Sequence, residues 1–169
     1  FFFKAAFDRV WHEGLLFKLQ CLGVSDQLLR WFTDYLKDRS QVVVLKGATS
    51  SVRPITAGVP QGSILGPLLF KIFVNDFGYS LSAESFLFAD DSSILKHYTN
   101  STLLSVILEL NSDLSKILVW ANQWRIQFNN SKTVAMFFTP SGAVPENISV
   151  QFDNAFIAPV SKHCHLGVT

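Results

Sequence analysis

Apolar positions fall at two spacings along the chain, and each spacing predicts its own kind of element. Phe1 to Phe7 is a short apolar run that suits a buried strand, and Asp8 stands where an N-cap would open a helix. Val10, Leu15, Leu19 and Leu22 mark that helix's apolar face, and Gly23 ends it. Ser25 is placed to cap a second helix, in which Leu28, Leu29, Phe32, Tyr35 and Leu36 recur at helical spacing before the charged exit Lys37-Asp38-Arg39. Gln41 to Leu45 is strand-like, Lys46-Gly47-Ala48 turns, and Val52 to Thr56 returns, with Pro54 confining the second strand to an edge. The glycine-punctuated run Ala57 to Phe70 then opens a helix that reaches Val74.

Further on, Glu84 to Leu95 reads as a tight hairpin, with Asp90-Asp91 at its turn and with Phe86, Phe88, Ala89, Ile94 and Leu95 predicting that the hairpin is buried. Leu103, Ile107, Leu110, Leu114, Ile117, Ala121 and Trp124 recur at steps of four and three. They predict one long amphipathic helix, which at about three heptads lies on a sheet rather than in a coiled coil. Arg125 to Phe128 and Thr133 to Phe138 read as strands about the turn Asn129-Asn130-Ser131, with Lys132 at its end. Thr139 to Asn147 reads as a loop, and Ile148 to Phe152 with Ala155 to Ala158 as a hairpin about Asp153-Asn154. This mixed order of helices and strands is that of an α+β class, and 169 residues without a linker predict one domain, residues 1–169.

Composition and charge change the picture further. At 49% hydrophobic and 14% aromatic residues, the chain needs a large core or further protein to lean on. The strongest apolar run, Ile64 to Val74, is broken by Gly66, Pro67 and Lys71, short of the about 18 apolar residues of a membrane span. A net charge of +1 gives no basic footprint of an independent nucleic-acid binder. The cysteines Cys21 and Cys164 are too few for a disulfide framework and fit a reducing, intracellular compartment, cytoplasmic or nuclear, where the sequons at Asn100, Asn129 and Asn147 carry little meaning. The Phe1-Phe2-Phe3 start predicts a fragment.

Adjacent carboxylates repel one another and call for a cation, and hard oxygen ligands at a turn suit magnesium. A glycine-rich loop entering a helix offers backbone N–H groups to phosphates or bases, with Gln61 able to donate and accept beside them. Together with Lys132 these features form a phosphoryl-transfer pattern: metal on carboxylates, substrate on the glycine loop, a cation near the departing charge. His163-Cys164-His165 is set aside as a zinc site, because strand alternation points neighbours to opposite faces and no second ligand pair follows.

At these residues the chain resembles the reverse transcriptases of non-LTR, LINE-type, jockey-like retrotransposons. Phe88-Ala89-Asp90-Asp91 resembles their motif C and Gly58 to Phe70 their motif B. Ala6-Phe7-Asp8-Arg9-Val10-Trp11-His12 is similar to the later half of motif A, Asn129 to Thr133 to motif D, and His165-Leu166-Gly167-Val168 to the sequence that ends the palm. The resemblance implies a polymerase palm, a small, mostly antiparallel sheet backed by helices, with most of the fingers before Phe1 and the thumb after Thr169. It implies RNA template, DNA primer and deoxynucleoside triphosphate as partners and two magnesium ions as cofactors. One ion activates the primer 3′-hydroxyl and the other clamps the triphosphate. Asp90 and Asp91 match the metal-binding pair. Phe7 matches the gate that excludes a ribose 2′-hydroxyl, though a core aromatic is an equal reading of the residue alone. Gln61 and Gly62 match the loop shaping the nucleotide and template pocket. Lys132 matches the lysine near pyrophosphate, a general-acid candidate.

One departure stands out. The motif A aspartate of the family lies five residues before the gate, where this chain has Phe2. Two divalent ions about 3.5–4 Å apart need a bridging anion, and phenylalanine supplies none. Asp8 is out of reach, since six extended residues span about 20 Å; it is expected to cap a helix. The chain is therefore expected to be inactive, the alternative function being that of a non-catalytic remnant that binds nucleic acid or protein.

Overall fold

A computed structural model describes residues 1–98, 102–139 and 150–167. The chain divides into two compact units, one of Ala5–Asp76 with Trp124–Ile126, the other of Phe1–Lys4, Phe77–Gln123 and Gln127–Thr169. Mixed helices and small antiparallel sheets bear out the α+β class. No described helix is long and apolar enough to cross a membrane.

In the unit that begins at Ala5, helices α1 (His12–Cys21), α2 (Asp26–Leu36) and α3 (Leu65–Phe73) pack with α1 at the centre. Val10, Leu15, Leu19, Leu36, Leu69 and Phe73 are buried among them. Helix α1 ends because Gly23 takes φ +80°, which lets its N–H reach the Gln20 carbonyl at 2.9 Å and the Val24 N–H reach that of Leu19 at 3.1 Å. Lys18 is buried in this core: its Nζ donates to the Phe73 carbonyl at 2.6 Å, pairs with Asp76, and lies 3.7 Å from the centre of the Trp124 ring. Burial lowers its pKa, against the opposing pull of the Asp76 carboxylate.

Three expectations for this unit are corrected. Asp8 caps no helix: it lies inside a 3₁₀ turn, Ala6–Arg9, and Trp11 occupies the N-cap of α1. The turn forms because Ala5, at φ +50°, ends the strand-like start after Phe3. Leu22 (61% exposed) and Leu28 (52% exposed) lie outside the core, the first because it is the C-cap where α1 unwinds. The predicted hairpin is present but split. Strand β1 (Ser40–Gln41) pairs with β4 (Arg53–Pro54), and β2 (Val44–Leu45) pairs with β3 (Ala48–Thr49) across Lys46 and Gly47, whose positive φ angles (48° and 82°) are those of a type I′ turn. Between the two ladders, Val42 and Val43 face three residues, Ser50, Ser51 and Val52, so the returning strand carries a bulge.

The other unit is built on β5 (Glu84–Phe88) and β6 (Asp91–Leu95), paired with Phe88 opposite Asp91. Phe1–Phe3 runs antiparallel along the free edge of β6, with the Phe3 N–H on the Asp90 carbonyl at 3.0 Å and the Ser92 N–H on that of Phe1 at 2.9 Å. Its other edge takes Phe128, through Lys4 N–H to Gln127 carbonyl (2.7 Å) and Asn129 N–H to Phe2 carbonyl (2.8 Å). Helix α4 (Leu103–Gln123) packs on β7 (Val150–Phe152), which pairs with β8 (Ala155–Ile157) through a type I′ turn at Asp153 and Asn154. The helix on a sheet is thus as expected. Phe3, Phe77, Leu114, Ile117, Val150 and Phe152 make the core.

Here too some expectations fail. The β5–β6 hairpin is not buried: Phe86 (51%) and Phe88 (65%) lie exposed, and Ser92 is the residue of the hairpin that is sealed, because Phe1 covers it. Arg125 to Phe128 and Thr133 to Phe138 form single bridges at Phe128 and Ala135 instead of strands, since Arg125 reverses the chain at φ +57° and Asn130–Lys132 is a 3₁₀ turn. Of the remaining readings, Asn100, Asn147, Ile148, Val168 and most of the Thr139 to Asn147 loop lie outside the described residues.

A buried carboxylate ties α4 to the foot of the hairpin. Asp113, 0% exposed, accepts from the Ser82 N–H and hydroxyl, from the Ala83 N–H at 2.9 Å, and from Lys116 Nζ at 2.9 Å. Burial alone would raise its pKa, but the Lys116, Ser82 and Ala83 hydrogen bonds outweigh it and hold the carboxyl at about 2, against an ordinary 3.8. Lys96, just past β6, closes the other side by donating to Ser82 Oγ (2.8 Å) and pairing with Glu109 at 2.6 Å. Because the folded state depresses this pKa, its stabilisation is complete above about pH 4 and lost as pH falls through about 2. Asp113→Ala is expected to cost about 3 kcal/mol in urea unfolding near neutral pH. Asp113→Asn should flatten the loss of stability between pH 4 and 2; an acid limb identical to that of the parent chain would refute the assignment.

Candidate active site

The acidic pair is exposed at the end of the small sheet. Ala89 at φ +52° and Asp90 form the two-residue turn, so Asp90 lies in the turn and Asp91 heads β6, a finer placement than both acids at the turn. Asp90 is exposed and Asp91 half-buried. Phe2 is the bridge partner of Asp91 on the neighbouring segment. Directly opposite residues of an antiparallel pair project to one face with Cβ atoms about 4.5–5.5 Å apart, so the Phe2 ring stands beside the Asp91 carboxylate. Lys132, at the end of its 3₁₀ turn, holds its Nζ 5.6 Å from the centre of the Phe2 ring, within cation–π range. Phe2 is therefore the neighbour of Asp91 by register and of Lys132 by its ring, with Asp90 at the adjoining turn.

The remaining candidates belong to the other unit. Phe7 is half-buried and packs its ring on Phe70, 4.7 Å between centroids. The glycine loop is stitched to the 3₁₀ turn that carries Phe7 and Asp8: the Gly58 N–H donates to the Val10 carbonyl and the Val59 N–H to that of Phe7, both at 2.8 Å. His12 Nε2 donates to the Gly58 carbonyl, also at 2.8 Å. Gln61, exposed at the loop tip beside Gly62, donates from Nε2 to Asp8 Oδ1 at 2.7 Å. Asp8, expected only to cap a helix, thus orients Gln61. Ser63 Oγ accepts the Gly66 N–H at 2.9 Å and donates to the Pro60 carbonyl at 2.7 Å, which closes the loop into α3.

As a donor set, Asp90 and Asp91 are hard oxygen ligands suited to a single magnesium ion. A two-ion site needs a further anion between the metals, and the residue across from Asp91 is an aromatic ring under an ammonium group. The residues do not fit two ions. Among the described residues no group of three or more His, Cys, Asp or Glu side chains is placed to hold a metal, and the rings of His163 and His165 lie 6.4 Å apart with Cys164 exposed.

Sequence reasoning passed over Asp113. Asp113 was detectable as an acid seven residues after buried Val106 and four before buried Ile117, on the helix's apolar stripe.

A Cβ added at Gly58 would stand 2.8 Å from the Asp8 backbone, at φ +92°; one at Gly62, φ +79°, would meet nothing within 4 Å. Gly58→Ala is therefore expected to destabilise by about 2 kcal/mol or more and Gly62→Ala by about 1 kcal/mol. Equal losses in paired thermal melts would show that the loop is not stitched to the Asp8 turn.

Residues 3–168 match the family model described as reverse transcriptase (RNA-dependent DNA polymerase). The chain is 33% identical over 175 aligned residues to the RNA-directed DNA polymerase from mobile element jockey of Drosophila melanogaster, covering 98% of this chain and 18% of that protein. It is 31% identical to the probable RNA-directed DNA polymerase from transposon BS of the same organism, over 98% of this chain and 19% of that protein. With the probable RNA-directed DNA polymerase from transposon X-element, also of that fly, it shares 31% identity over 88% of this chain and 16% of that protein. The chain spans less than one-fifth of the length of these relatives. A match that runs through the Gly58 loop, the Asp90-Asp91 hairpin and the Lys132 turn makes the chain a member of the reverse transcriptase family, of the jockey-like, non-LTR retrotransposon kind.

Proposed function

We propose that residues 1–169 form one palm fragment of a retrotransposon RNA-directed DNA polymerase. Its intact form extends a DNA primer on an RNA template, by two-metal nucleotidyl transfer from deoxynucleoside triphosphates. Asp90 and Asp91 are its metal-binding carboxylates, and Lys132 is the cation beside the departing pyrophosphate. Phe7 is the gate against a ribose 2′-hydroxyl, and Gln61, oriented by Asp8, shapes the nucleotide and template pocket with Gly62. Fingers and thumb belong to the longer protein, and magnesium is the ion the carboxylates select.

The pairing of Phe2 with Asp91 supports a further element of this reading, that the chain as written does not catalyse. With a ring and an ammonium group where a bridging anion is needed, the acids lack the partner that would let two ions approach one another. No nucleotidyl transfer is assigned to this chain itself. The same pairing favours a second reading, a non-catalytic remnant that retains nucleic-acid or protein binding.

Grafting residues 1–169 into a jockey-like polymerase frame, as written and as Phe2→Asp, separates these readings. Template- and magnesium-dependent deoxynucleotide incorporation is expected from Phe2→Asp alone. Incorporation with Phe2 in place would overturn the argument from the donor set, and silence from both would favour the remnant.

A further inference from the structure

Helix α4 has a second face, left open by the described residues of its unit. Its buried stripe meets β7 and the core, while Leu104, Leu108, Ser112, Ser115, Val119 and Asn122 recur on the opposite side at steps of four and three, all exposed. Hydrogen bonds mark the borders of this face: Asn111 accepts the Gln151 N–H at 2.9 Å on one side, and Lys116 donates to the Ser80 carbonyl at 3.1 Å on the other. The solvent side of an amphipathic helix ordinarily carries its charges. Here none of the six positions is charged, and Leu104, Leu108 and Val119 are large apolar groups in solvent. The charged residues of α4 are Glu109, Asp113 and Lys116. Asp113 is buried; Glu109 and Lys116, two turns apart, stand together on one flank of the open face.

We infer that this face is the contact between two copies of the chain, paired antiparallel through α4. About a two-fold axis beside Ser112, Leu104 of one copy meets Val119 of the other, and Leu108 meets Ser115. The small Ser112 side chain lets the helices approach where they cross. Charge selects both the occupant and the direction. Antiparallel helices set like flanks together, so the same register brings Glu109 of each copy to Lys116 of the other, twice by symmetry. Both side chains are about half-exposed beside their own partners, Lys96 and Asp113. A parallel pair would turn that flank to Asn111 and Leu118, which offer no charge. The pairing uses none of the residues assigned to the polymerase site and stands apart from that reading. A contact confined to one helix face falls short of about 1,200 Å², so the dimer is weak and concentration-dependent.

Sedimentation velocity of the unaltered 169-residue chain, from about 1 to about 300 µM, should show a reversible monomer–dimer equilibrium. Leu108→Lys should raise the dissociation constant about tenfold or more, because it brings two further ammonium groups to the axis beside Lys116 of each copy. Leu108 is exposed, so circular dichroism should find the fold of this variant unchanged. With the exposed Cys21 and Cys164 replaced by serine, Ser112→Cys should link to its own copy through a short bismaleimide. Asn122→Cys should not, since its two copies would stand about 30 Å apart. A chain that stays monomeric over the whole range would overturn the inference. Parent-like association of Leu108→Lys would also overturn it, by moving the contact to another face such as the exposed Val42 to Leu45 ribbon. Linkage through Asn122→Cys as well as Ser112→Cys would mean a parallel pair and overturn the register.

Discussion

The backbone pairing of Phe1–Phe3 between β6 and Phe128 is the constraint on which the acidic site depends. It covers Ser92 and sets residue 2 across from Asp91. It also draws the Asn129 N–H onto the Phe2 carbonyl, which starts the turn that carries Lys132. A register shift of one residue would exchange the faces of Phe2 and Phe3, placing the buried ring at the acids and the half-exposed ring in the core. Phe3 is fixed against such a slip by Phe77, Trp120 and Phe128, whose rings lie 5.2 to 6.5 Å from its own. The aromatic core therefore determines what the Asp91 carboxylate faces.

Two buried charges show how each unit uses polarity inside an apolar core. Asp113 accepts hydrogen bonds from a backbone loop and from Lys116, so its negative charge organises the segment entering β5. Lys18 instead joins the end of α3 to α1 through the Phe73 carbonyl and Asp76, with the Trp124 ring against its ammonium group. Each charge fixes the join between a helix and the segment packed against it, a place where apolar contact alone permits sliding.

Elements set by local chemistry were legible in the sequence. Gly47 and Asp153-Asn154 adopt the positive φ angles their residue types permit, Gly23 stops α1, and the apolar stripe of α4 meets β7. The acid hairpin was legible too, because strand-type runs on both sides of Ala89-Asp90 leave only a two-residue turn. What misled was inference from hydrophobicity to burial: Phe86 and Phe88 face outward on a strand whose own partner covers neither. Asp8 misled for a related reason, since a helix start lay close by but the Ala6–Arg9 3₁₀ turn holds Asp8 short of it, with the carboxylate on Gln61.

The bulge in the β1–β4 hairpin bears on how this molecule behaves in concentrated solution. Val42 to Leu45 and Val52 are exposed on a ribbon only two strands wide, an arrangement that ordinarily recruits further strands and grows into fibrils. Here the additional residue between the ladders breaks the straight row of hydrogen-bonding groups, Pro54 removes a donor from the outer edge, and Lys46 puts a charge at the tip. Colloidal stability of the chain is thereby entrusted to a defect in an exposed hairpin, so that straightening the ribbon would favour the aggregate over the folded chain.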